Sequence, residues 1–508
     1  MNLTEPIFRH ARRQPDAAAL VDGERTITYG ALGELVSRTA GHLHALGVRR
    51  GDYVGLCLRD DWQHVVALLA IARLGAVFLQ IDPRARPAEK ARIADAIAFK
   101  LALVTPHGDI GANCRVEALD AAWWRAVAAA DPGSEVVRDW QAPFAILLSS
   151  GTTGLPKFAV ATHLEFYCRF ASYGEVVPAS RRHRYLSTLS ISFSAGRSAF
   201  LSHLLHGDTV VFHASTFTGA EFVETVSRQK ISVAFVVPSV VRQLLQIAGT
   251  GSPLLPDLDV FLSAGAPLFA DEKRDAFHKL TPNFHEMYGA TAIGVMSVLR
   301  PNDMLERSTS VGRPFSLIDV EVVDESDRPL DVGEAGYLRC RGPALASPWG
   351  GTPEATSSEF RDGWHYPGEV ATVDSCGYVF LQGRKSEVIF RGGAKIFPAE
   401  VEAALMAHEG VAEAVVVGRA SAGKEQELVA YVIASRPLEP GELLAHCRTR
   451  LTAYKVPRDI HVVSELPRNP SGKLDKRALT NWTNAEEHRV SCPGLPGDRT
   501  PDDSQTLT

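Results

Sequence analysis

A chain of 508 residues is too long for one ordinary hydrophobic core, and its length predicts about three or four packing units. Hydrophobic residues make up 45% and charged residues 22%, proportions that exclude disordered, collagen-like and coiled-coil proteins. The 53 basic and 59 acidic side chains leave a formal net charge of −6. Because the chain is mildly acidic and has no basic domain, nucleic acid and anionic membrane surfaces are poor candidate partners.

The N-terminal segment and the cysteines predict a cytoplasmic protein. Residues 1–16 have no apolar core and no small-residue cleavage site, so they do not resemble a secretion signal. The most apolar stretch, residues 65–81, is interrupted by Arg73 and Gln80 and falls short of a membrane span. The seven cysteines are scattered and form no CxxC pair, which argues against a disulfide framework and a zinc site.

The first half of the chain alternates between predicted strands and helices. A hairpin is predicted at 18–29 with its turn at Asp22-Gly23, followed by a helix at 31–46 that ends at Gly47. Further strands are predicted at 53–58, 76–80, 184–188, 209–212 and 233–237, and further helices at 62–74, 199–205 and 220–229. Since such alternation indicates parallel sheets covered by helices, the pattern predicts two α/β subdomains.

The pattern changes at residues 310–381, where short alternating strands and Gly, Asp and Pro turns predict a β-rich subdomain. A unit of about a hundred residues follows, large enough for its own core. Its helices are predicted at 398–408 and 442–451, and its strands at 411–418, 427–433 and 459–463. We therefore predict a large N-terminal domain at 1–382, a junction at 383–387, a small α+β domain at 388–480 and a disordered polar tail at 481–508.

The strongest local signal is LLSSGTTGLPK at 147–157, where an apolar strand runs into a loop rich in hydroxyl groups and glycines. Such a loop presents backbone N–H groups, hydroxyls and one ammonium group to a polyphosphate. It is not a Walker loop, because Pro156 replaces the glycine before the lysine and Phe158 replaces the Ser or Thr after it. The candidate phosphate-binding residues are Ser149, Ser150, Gly151, Thr152, Thr153, Gly154 and Lys157.

This loop resembles the phosphate loop of the AMP-forming adenylating superfamily, which includes acyl- and aryl-CoA synthetases, peptide-synthetase adenylation domains and luciferases. Other segments match over nearly the whole chain in the family's order, among them LGAVFLQIDP, LSAGAPL, MYGAT, SVGRP, FRDGWHYPGE, GRKSEVIFRGGAKIFPAEVE and YKVPRDIHVVSELPRNPSGKLDKRAL. The resemblance implies an α/β fold with a mobile C-terminal domain. It implies the type of reaction and leaves the substrate open.

Two segments match the family's adenine site. Gly265, Ala266 and Pro267 match the stretch that lines adenine, where small residues let a flat base lie against the backbone. Tyr288 and Gly289 belong to the motif whose aromatic ring stacks on the base, an interaction of about 1–3 kcal/mol in other base-stacking sites. The resemblance therefore implies that these residues bind the nucleotide.

The resemblance also implies the catalytic residues. Thr291 matches the hydroxyl that contacts the α-phosphate, and Lys473 matches the lysine that bonds both the carboxylate and the nucleotide oxygens. A fixed cation there stabilises the charge that develops during attack on phosphorus. Arg384 opens the segment at which the family joins its two domains, and Ser386 takes the hinge position. Gly392-Gly393 matches the segment that leaves room for a pantetheine arm.

Two residues depart from the family pattern. Ala292 stands where relatives usually have a glutamate that helps to hold Mg²⁺, so we expect no protein ligand and a metal held mainly by phosphates and water. Glu369 stands where relatives have an aspartate that binds the ribose hydroxyls, and its extra methylene adds about 1.5 Å of reach. A misplacement of about 1 Å can lower a rate about a hundredfold, so turnover is expected to be modest unless the backbone compensates.

The segment at 191–196 resembles the acyl-pocket segment of adenylation domains. Amino-acid activators have an aspartate at the position of Ser194, and a buried ammonium group without that carboxylate would be destabilised by several kcal/mol. An aryl or short acyl carboxylic acid is therefore favoured over an α-amino acid. The candidate pocket residues are Phe193, Ser194, Arg197, Val237 and Ser239.

We expect ATP-dependent formation of an acyl-AMP followed by transfer of the acyl group to CoA. Two other acceptors stay open, a carrier-protein thiol and an amine, as in a stand-alone adenylation enzyme or an amide synthetase. Nitrite activation by a diazo-forming relative is a more distant alternative. So is a degenerate member that binds nucleotide without useful turnover. The oligomeric state stays open, with a homodimer as one option.

Overall fold

The structure of the protein, a computed structural model, describes residues 2–111, 114–132, 136–149, 157–179, 182–214, 216–348, 359–391, 394–420, 426–468, 474–480, 482 and 489–491. The chain divides into two compact units, residues 1–381 and 382–508. This division lies one residue before the predicted end of the large domain.

The first unit contains most of the strands and helices of the chain. Its strands are β1 (Ala18–Asp22), β2 (Arg25–Thr28), β3 (Tyr53–Cys57), β4 (Val77–Gln80), β5 (Leu101–Val104), β6 (Arg115–Ala118), β7 (Pro143–Ser149), β8 (Lys157–Thr162), β9 (Arg184–Ser187), β10 (Thr209–Phe212), β11 (Val233–Val236), β12 (Val260–Ser263), β13 (Phe284–Ala290), β14 (Gly294–Leu299), β15 (Arg313–Pro314), β16 (Asp319–Val323), β17 (Gly336–Arg341), β18 (Ser347–Pro348), β19 (Phe360–Arg361), β20 (Trp364–His365), β21 (Glu369–Val373) and β22 (Val379–Arg384), which runs into the second unit. Its helices are α1 (Glu5–Arg13), α2 (Tyr29–Ala45), α3 (Trp62–Leu74), α4 (Pro87–Asp95), α5 (Ala121–Ala129), α6 (His163–Tyr173), α7 (Ser194–His206), α8 (Gly219–Arg228), α9 (Pro238–Ile247) and α10 (Ala270–Asp275), which continues as the π-helical turn Ala276–Leu280.

Two large sheets form the centre of this unit. One has the strand order β15-β14-β13-β12-β11-β9-β10-β1-β2, and its central strands from β13 to β1 are parallel. The other has the order β18-β8-β7-β4-β3-β5-β6, in which the strands from β7 to β6 are parallel. Antiparallel strands lie at their edges. Helices connect most of the parallel strands, and the predicted α/β fold class is confirmed.

Helix α3 and strand β4 contain most of the apolar stretch at 65–81, and both are buried in the core. The Asp61 side chain caps the helix by accepting hydrogen bonds from the backbone N–H groups of Gln63 and His64, and it ends at Gly75 with a φ of 68°. Nearly all of its side chains are buried, as expected for a helix that is apolar all round. Among the described helices of the chain, none combines the length and apolarity needed to cross a membrane.

A third sheet contains the strands predicted for residues 310–381. Its order is β19-β20-β17-β21-β22, with β16 paired to β17. Gly312, with a φ of 86°, packs directly against the backbone of Val298, where a Cβ atom would overlap. The segment SVGRP is therefore fixed between this sheet and the nine-stranded one.

The second unit is a small α+β body. Its strands are β23 (Ile389–Arg391), β24 (Ala394–Ile396), β25 (Val411–Ala420), β26 (Gln426–Ala434), β27 (Asp459–Val462) and β28 (Arg489–Ser491), and its helices are α11 (Pro398–Met406), α12 (Pro440–Arg450) and α13 (Lys476–Thr480). The core includes Val401, Leu405, Val416, Leu443 and Ile460.

The segment predicted as a disordered tail differs from that prediction at two places. Strand β28 pairs in antiparallel fashion with β27, and the Trp482 ring lies 5.4 Å from the Tyr431 ring. Backbone pairing and an aromatic contact are the physical reasons for this order. The remaining residues of 481–508 lie outside the described residues.

An ion pair lies buried beside β13 in the first unit. Lys273 Nζ is 2.5 Å from Glu286 Oε2, and the two side chains are 3% and 6% exposed. Lys273 also donates to the Ser310 carbonyl at 2.9 Å. Burial raises the pKa of the Glu286 carboxyl, and the neighbouring ammonium group opposes that rise.

We expect Lys273→Met to lower the free energy of unfolding by about 3–5 kcal/mol at pH 7, because it leaves a buried carboxylate without its cation. The folded-state pKa of Glu286 would rise further in the variant. The loss should therefore be largest above that pKa and shrink as the pH falls and the carboxyl group is protonated. Urea unfolding at pH 7 and pH 5 measures both effects.

The matched control is Lys279→Met, which removes an exposed pair with Asp275 at 2.9 Å. Exposed pairs contribute roughly 0–1 kcal/mol, so this variant should unfold nearly like the wild type at both pH values. Equal losses in the two lysine variants would contradict the assigned role of the buried pair.

Candidate active site

The carboxyl ends of parallel strands in the nine-stranded sheet bring two sets of predicted site residues together. Strand β11 pairs with both β9 and β12, so Val236 lies beside Ser263. Val237 follows β11, and Gly265 follows β12 with a φ of 99°. A Cβ atom on Gly265 would lie 3.9 Å from Val237 Cγ1. The predicted acyl-pocket and adenine segments are therefore neighbours, at the edge where ligands bind in open α/β sheets.

A cavity of about 270 Å³ lies at this edge. Two predicted pocket residues, Val237 and Ser239, line it. The remaining lining residues are Thr188, Leu189, Thr216, Phe217, Val240 and Gln243. None of these side chains is ionisable. Phe193, Ser194 and Arg197 are not among the described residues that line it, so their place in an acyl pocket stays a prediction.

Arg197 contacts the interior of the unit. Helix α7 begins at Ser194, and the Arg197 side chain is 2% exposed and donates to Gln80 Oε1 at 2.7 Å. It also reaches the Ile191 carbonyl at 3.3 Å, while Asp60 Oδ1 accepts from the Ile191 N–H at 2.8 Å. Arg197 therefore holds the turn before α7 through Nη1, whose acceptors all belong to the interior.

The adenine-like segment is exposed, and a side chain of helix α9 holds its backbone. Gly265, Ala266 and Pro267 are all exposed. The Pro267 carbonyl accepts a hydrogen bond from the Arg242 guanidinium at 3.1 Å. Arg242 also pairs with Glu272 at 2.5 Å, and both side chains are less than one-fifth exposed. The α9 side chain thus fixes the last residue of the segment.

The Thr291 turn lies on the hairpin of β13 and β14. The register shifts between Tyr288 and Gly289, and a Cβ atom on Gly289 would overlap the Gly294 carbonyl oxygen. Tyr288 and Thr291 are half-buried, whereas Gly289 is exposed. The close backbone approach requires glycine at 289, which places the aromatic ring and the hydroxyl-bearing residue on one hairpin.

Arg169, which the sequence did not single out, holds this turn. It lies on α6 and is 3% exposed. Its guanidinium donates to the carbonyls of Thr291 at 3.1 Å, Ala292 at 2.5 Å and Ala344 at 3.2 Å. Burial lowers its pKa to about 10, with Glu165 opposing the shift, so it remains a cation at neutral pH.

The phosphate-loop prediction is only partly within the described residues. Strand β7 ends at Ser149 and β8 begins at Lys157, and these two residues face each other in an antiparallel pair. Because β7 runs parallel to β4, Ser149 ends β7 at the carboxyl edge of the seven-stranded sheet. Residues 150–156, including Ser150, Gly151, Thr152, Thr153 and Gly154, lie outside the described residues.

The two departures from the family pattern lie in buried places. Ala292 is 8% exposed, and its carbonyl oxygen accepts from Arg169. Glu369 begins β21 and is 7% exposed. Burial and, secondarily, the Glu369 charge raise the pKa of the Cys340 thiol, so the two side chains are close. Within the described part of the chain, no cluster of three or more His, Cys, Asp or Glu residues could hold a metal ion.

In the second unit, Arg384 ends β22 and Ser386 lies in the 3₁₀ turn Lys385–Glu387, and both are exposed. Gly392, Gly393 and Lys473 lie outside the described residues. After Lys473, the backbone is fixed at Asp475, whose N–H donates to the Pro467 carbonyl at 2.8 Å.

Two protein-family models match the chain and identify its family. The model for AMP-binding enzymes matches residues 7–348, and the model for the AMP-binding enzyme C-terminal domain matches residues 400–473. The chain belongs to the AMP-binding enzyme family. The resemblance found in the sequence is confirmed.

Similar AMP-binding enzymes include several CoA ligases. The chain is 31% identical over 476 residues to a feruloyl-CoA synthase of Amycolatopsis sp, covering 92% of this chain and 96% of the relative. It is 29% identical over 480 residues to the 2-succinylbenzoate–CoA ligase of Bacillus licheniformis, covering 93% and 98%. The structure of o-succinylbenzoate CoA synthetase from Bacillus subtilis in complex with its acyl-adenylate intermediate matches with a TM-score of 0.86 at 24% identity, covering 94% of this chain and 98% of that one.

Sequence reasoning missed the residues whose side chains bond to the backbone of the candidate site segments of this AMP-binding enzyme. Arg169 donates to the Thr291 carbonyl, and Arg242 donates to the Pro267 carbonyl of the adenine-like segment. Asp60 accepts from the turn before α7, and Gln80 accepts from Arg197 on that helix. A weak signal existed for Arg169, because Phe166 and Tyr173 place it on the apolar face of α6. The carbonyl partners are distant in sequence, and no local pattern identifies them.

We expect Arg242→Met to weaken ATP binding about tenfold, because the Pro267 carbonyl loses a charged donor, an interaction of about 1.5–3 kcal/mol. Titration calorimetry with ATP measures the change. The control is Arg228→Met, which removes only an exposed pair with Glu224 at 3.3 Å and should bind ATP like the wild type. Unchanged affinity in a folded Arg242→Met protein would contradict the positioning of the adenine segment by Arg242.

Proposed function

We propose that this AMP-binding enzyme is an acid–thiol ligase that activates an aryl or short acyl carboxylic acid as an acyl-AMP. It then transfers the acyl group to CoA. The observation that supports this most strongly is the cavity lined by Val237 and Ser239, because Gly265 of the adenine-like segment adjoins Val237. An acid in that cavity would lie next to the nucleotide with which it reacts.

The lining of the cavity favours an uncharged acyl body. Its described side chains are aliphatic, aromatic, hydroxyl or amide groups, so none of them supplies a carboxylate to pair with a substrate ammonium group. A volume of about 270 Å³ lies below the usual range for drug-sized ligands, which favours a small acid. Hydroxyl groups such as that of Ser239 can bind a polar ring substituent. These features support an aryl or short acyl acid and disfavour an α-amino acid.

In the proposed reaction, a carboxylate oxygen of the acid attacks the α-phosphorus of ATP and pyrophosphate leaves. Thr291 orients the α-phosphate, and Lys473 stabilises the negative charge that develops on the carboxylate and phosphate oxygens. CoA sulfur then attacks the acyl carbon and AMP leaves. Arg384, Ser386 and Gly392-Gly393 are proposed to act at the domain junction and thiol approach during this second step.

Magnesium is proposed to enter as the ATP complex. The position of Ala292 has no carboxylate, and its carbonyl already accepts from Arg169. The residues around Thr291 therefore do not form a protein magnesium site, and the metal would be held by phosphates and water. Glu369 is proposed to bind the ribose hydroxyls from its buried position at the start of β21. We assign no step to a protein-bound metal. A cytoplasmic location stays a prediction.

A panel of small aryl and short-chain acids with ATP and Mg²⁺, with and without CoA, tests the reaction by mass spectrometry. AMP together with an acyl-CoA product would support the ligase and identify the acid. AMP with a retained adenylate and no CoA product would instead support a carrier-protein or amine acceptor. Absence of AMP with every acid would contradict the proposal and leave nitrite activation or a degenerate nucleotide-binding member.

Lys473→Ala should lower the rate of AMP formation by at least about a hundredfold while ATP still binds, since removal of one charge-stabilising donor has effects of about 10²–10³ elsewhere. The control is Lys279→Ala on the surface, which should react like the wild type. Product formation by Lys473→Ala at the wild-type rate would show that the proposed mechanism is wrong.

Ser239→Phe should raise the KM for the preferred acid by about tenfold or more, because the new ring fills part of the cavity. The KM for ATP should not change. Ser227→Phe is the matched control, since Ser227 lies exposed on α8. If acids of different size keep their order of preference in Ser239→Phe, this cavity is not the acyl site.

A further inference from the structure

Two arginines of the first unit are buried among neutral hydrogen-bond partners. Arg169 and Arg197 are 3% and 2% exposed. Each donates to backbone carbonyls, and Arg197 also donates to the Gln80 amide. Burial and, secondarily, the charge of Arg169 together lower the pKa of Arg197 to about 9, so both side chains remain cations at neutral pH.

Burying a cation on neutral partners is energetically unfavourable, and an apolar side chain would fill the same position more readily. A role in positioning accounts for such a residue better than a role in stability. For Arg169 the carbonyl partners identify what is positioned. Two of its three acceptors belong to the Thr291 turn, and the third is Ala344, three residues before β18.

We propose that Arg169 is a positioning residue for adenylation, which holds the Thr291 turn by its carbonyls. A guanidinium presents five donors in a rigid fork, so one side chain fixes the peptide groups of Thr291 and Ala292 together. Fixing these groups fixes the direction in which the Thr291 side chain leaves the backbone. The inference rests on the proposed function, in which the Thr291 hydroxyl orients the α-phosphate.

The local backbone shows that the turn is built around this side chain. Gly294 has a φ of 84°, and a Cβ atom there would lie 3.2 Å from Arg169 Cγ. The Ala292 carbonyl also accepts from the Ala346 N–H at 2.8 Å. Arg169 lies on the helix that directly follows β8, and Thr162 and Glu165 form the capping box that fixes the start of this helix. Arg169 therefore links the helix that follows β8 to the Thr291 turn.

The test is a double-mutant cycle on the rate of AMP formation, with Arg169→Lys, Thr291→Ala and the double variant. Arg169→Lys should lower kcat about 10- to 100-fold, the size of effect caused by a misplacement of about 1 Å. In the Thr291→Ala background the same substitution should lower kcat less than about threefold, because the hydroxyl that it positions is absent. Equal losses in both backgrounds would overturn the proposal.

Arg184→Lys is the matched control. Arg184 begins the central strand β9, so it lies at the amino ends of the parallel strands, and it donates to the Gln229 carbonyl at 2.6 Å. Its substitution should have a small effect that is the same in both backgrounds. An Arg169→Lys variant that behaves like Arg184→Lys would show that Arg169 serves packing alone.

The pH profile separates charge and positioning from packing. A buried lysine with only carbonyl partners has a lowered pKa, whereas Arg169 stays charged. The AMP-forming activity of Arg169→Lys should therefore fall more steeply with rising pH than that of the wild type, as the new ammonium group loses its proton. A profile parallel to that of the wild type would count against the proposal. If Arg169→Lys does not fold, Arg169→Gln replaces it in the cycle.

Hydrogen exchange tests the positioning without turnover. Amides of the peptide that contains residues 288–294 should exchange faster in Arg169→Lys than in the wild type or Arg184→Lys. Unchanged exchange would overturn the proposal. If the wild type forms no AMP with any acid but exchange increases as expected, the proposed function fails while the structural role of Arg169 stands. If the wild type forms AMP but the losses in the double-mutant cycle are additive, the proposed function stands and the positioning role of Arg169 fails.

Discussion

The hydrogen bond between Arg197 and Gln80 joins the two large sheets of the first unit. Arg197 lies on α7, which packs on the nine-stranded sheet, and Gln80 ends β4 of the seven-stranded sheet. The 2.7 Å bond assigns the Gln80 oxygen to Arg197, so the amide nitrogen faces His64 Nε2 at 2.9 Å. Burial lowers the pKa of His64 to about 4, and the neutral ring accepts from Gln80 and donates through Nδ1 to the Arg59 carbonyl. The Gln80 amide and the His64 ring each have one acceptor or donor partner on either side, which defines the orientation of both side chains.

The proposed acyl side of the site depends on the same junction. Asp60, between β3 and α3 of the seven-stranded sheet, accepts from the Ile191 N–H and the Ser190 hydroxyl, which precede α7. Arg197 holds the carbonyls of the same turn from the other side. The turn is therefore fixed by residues from both sheets. A shift of one sheet against the other would move it, although neither Asp60 nor Gln80 lines the cavity.

Local sequence patterns predicted the elements whose causes are local. Helix α3 has the predicted bounds because Asp61 caps its start and Gly75 its end, and Val237 and Gly265 meet because parallel strands end at one edge. Non-local contacts account for the differences. Strand β1 pairs with its hairpin partner β2 and, on its other side, with β10, which lies almost two hundred residues away. Helix α7 begins at Ser194, five residues before the predicted start, although Gly196 disfavours helix; a Cβ atom at 196 would overlap the Ser190 carbonyl.

The hydrogen-bond partners of the buried arginines determine how much positive charge this unit keeps for a polyanionic substrate. A carboxylate hydrogen-bonded to Arg169 or Arg197 would satisfy the guanidinium donors but would also offset the charge. Glu165, whose charge acts on Arg169, accepts from the Thr162 N–H instead. Carbonyl and amide groups are dipoles, so they satisfy donors and leave a net positive charge in a region of low dielectric constant. Arg169 places that charge directly behind the Thr291 and Ala292 peptide groups. At position 292 alanine adds no negative charge to offset it. The hydrogen bonds that fix the turn thus also preserve a positive potential on the side where phosphate charge would develop.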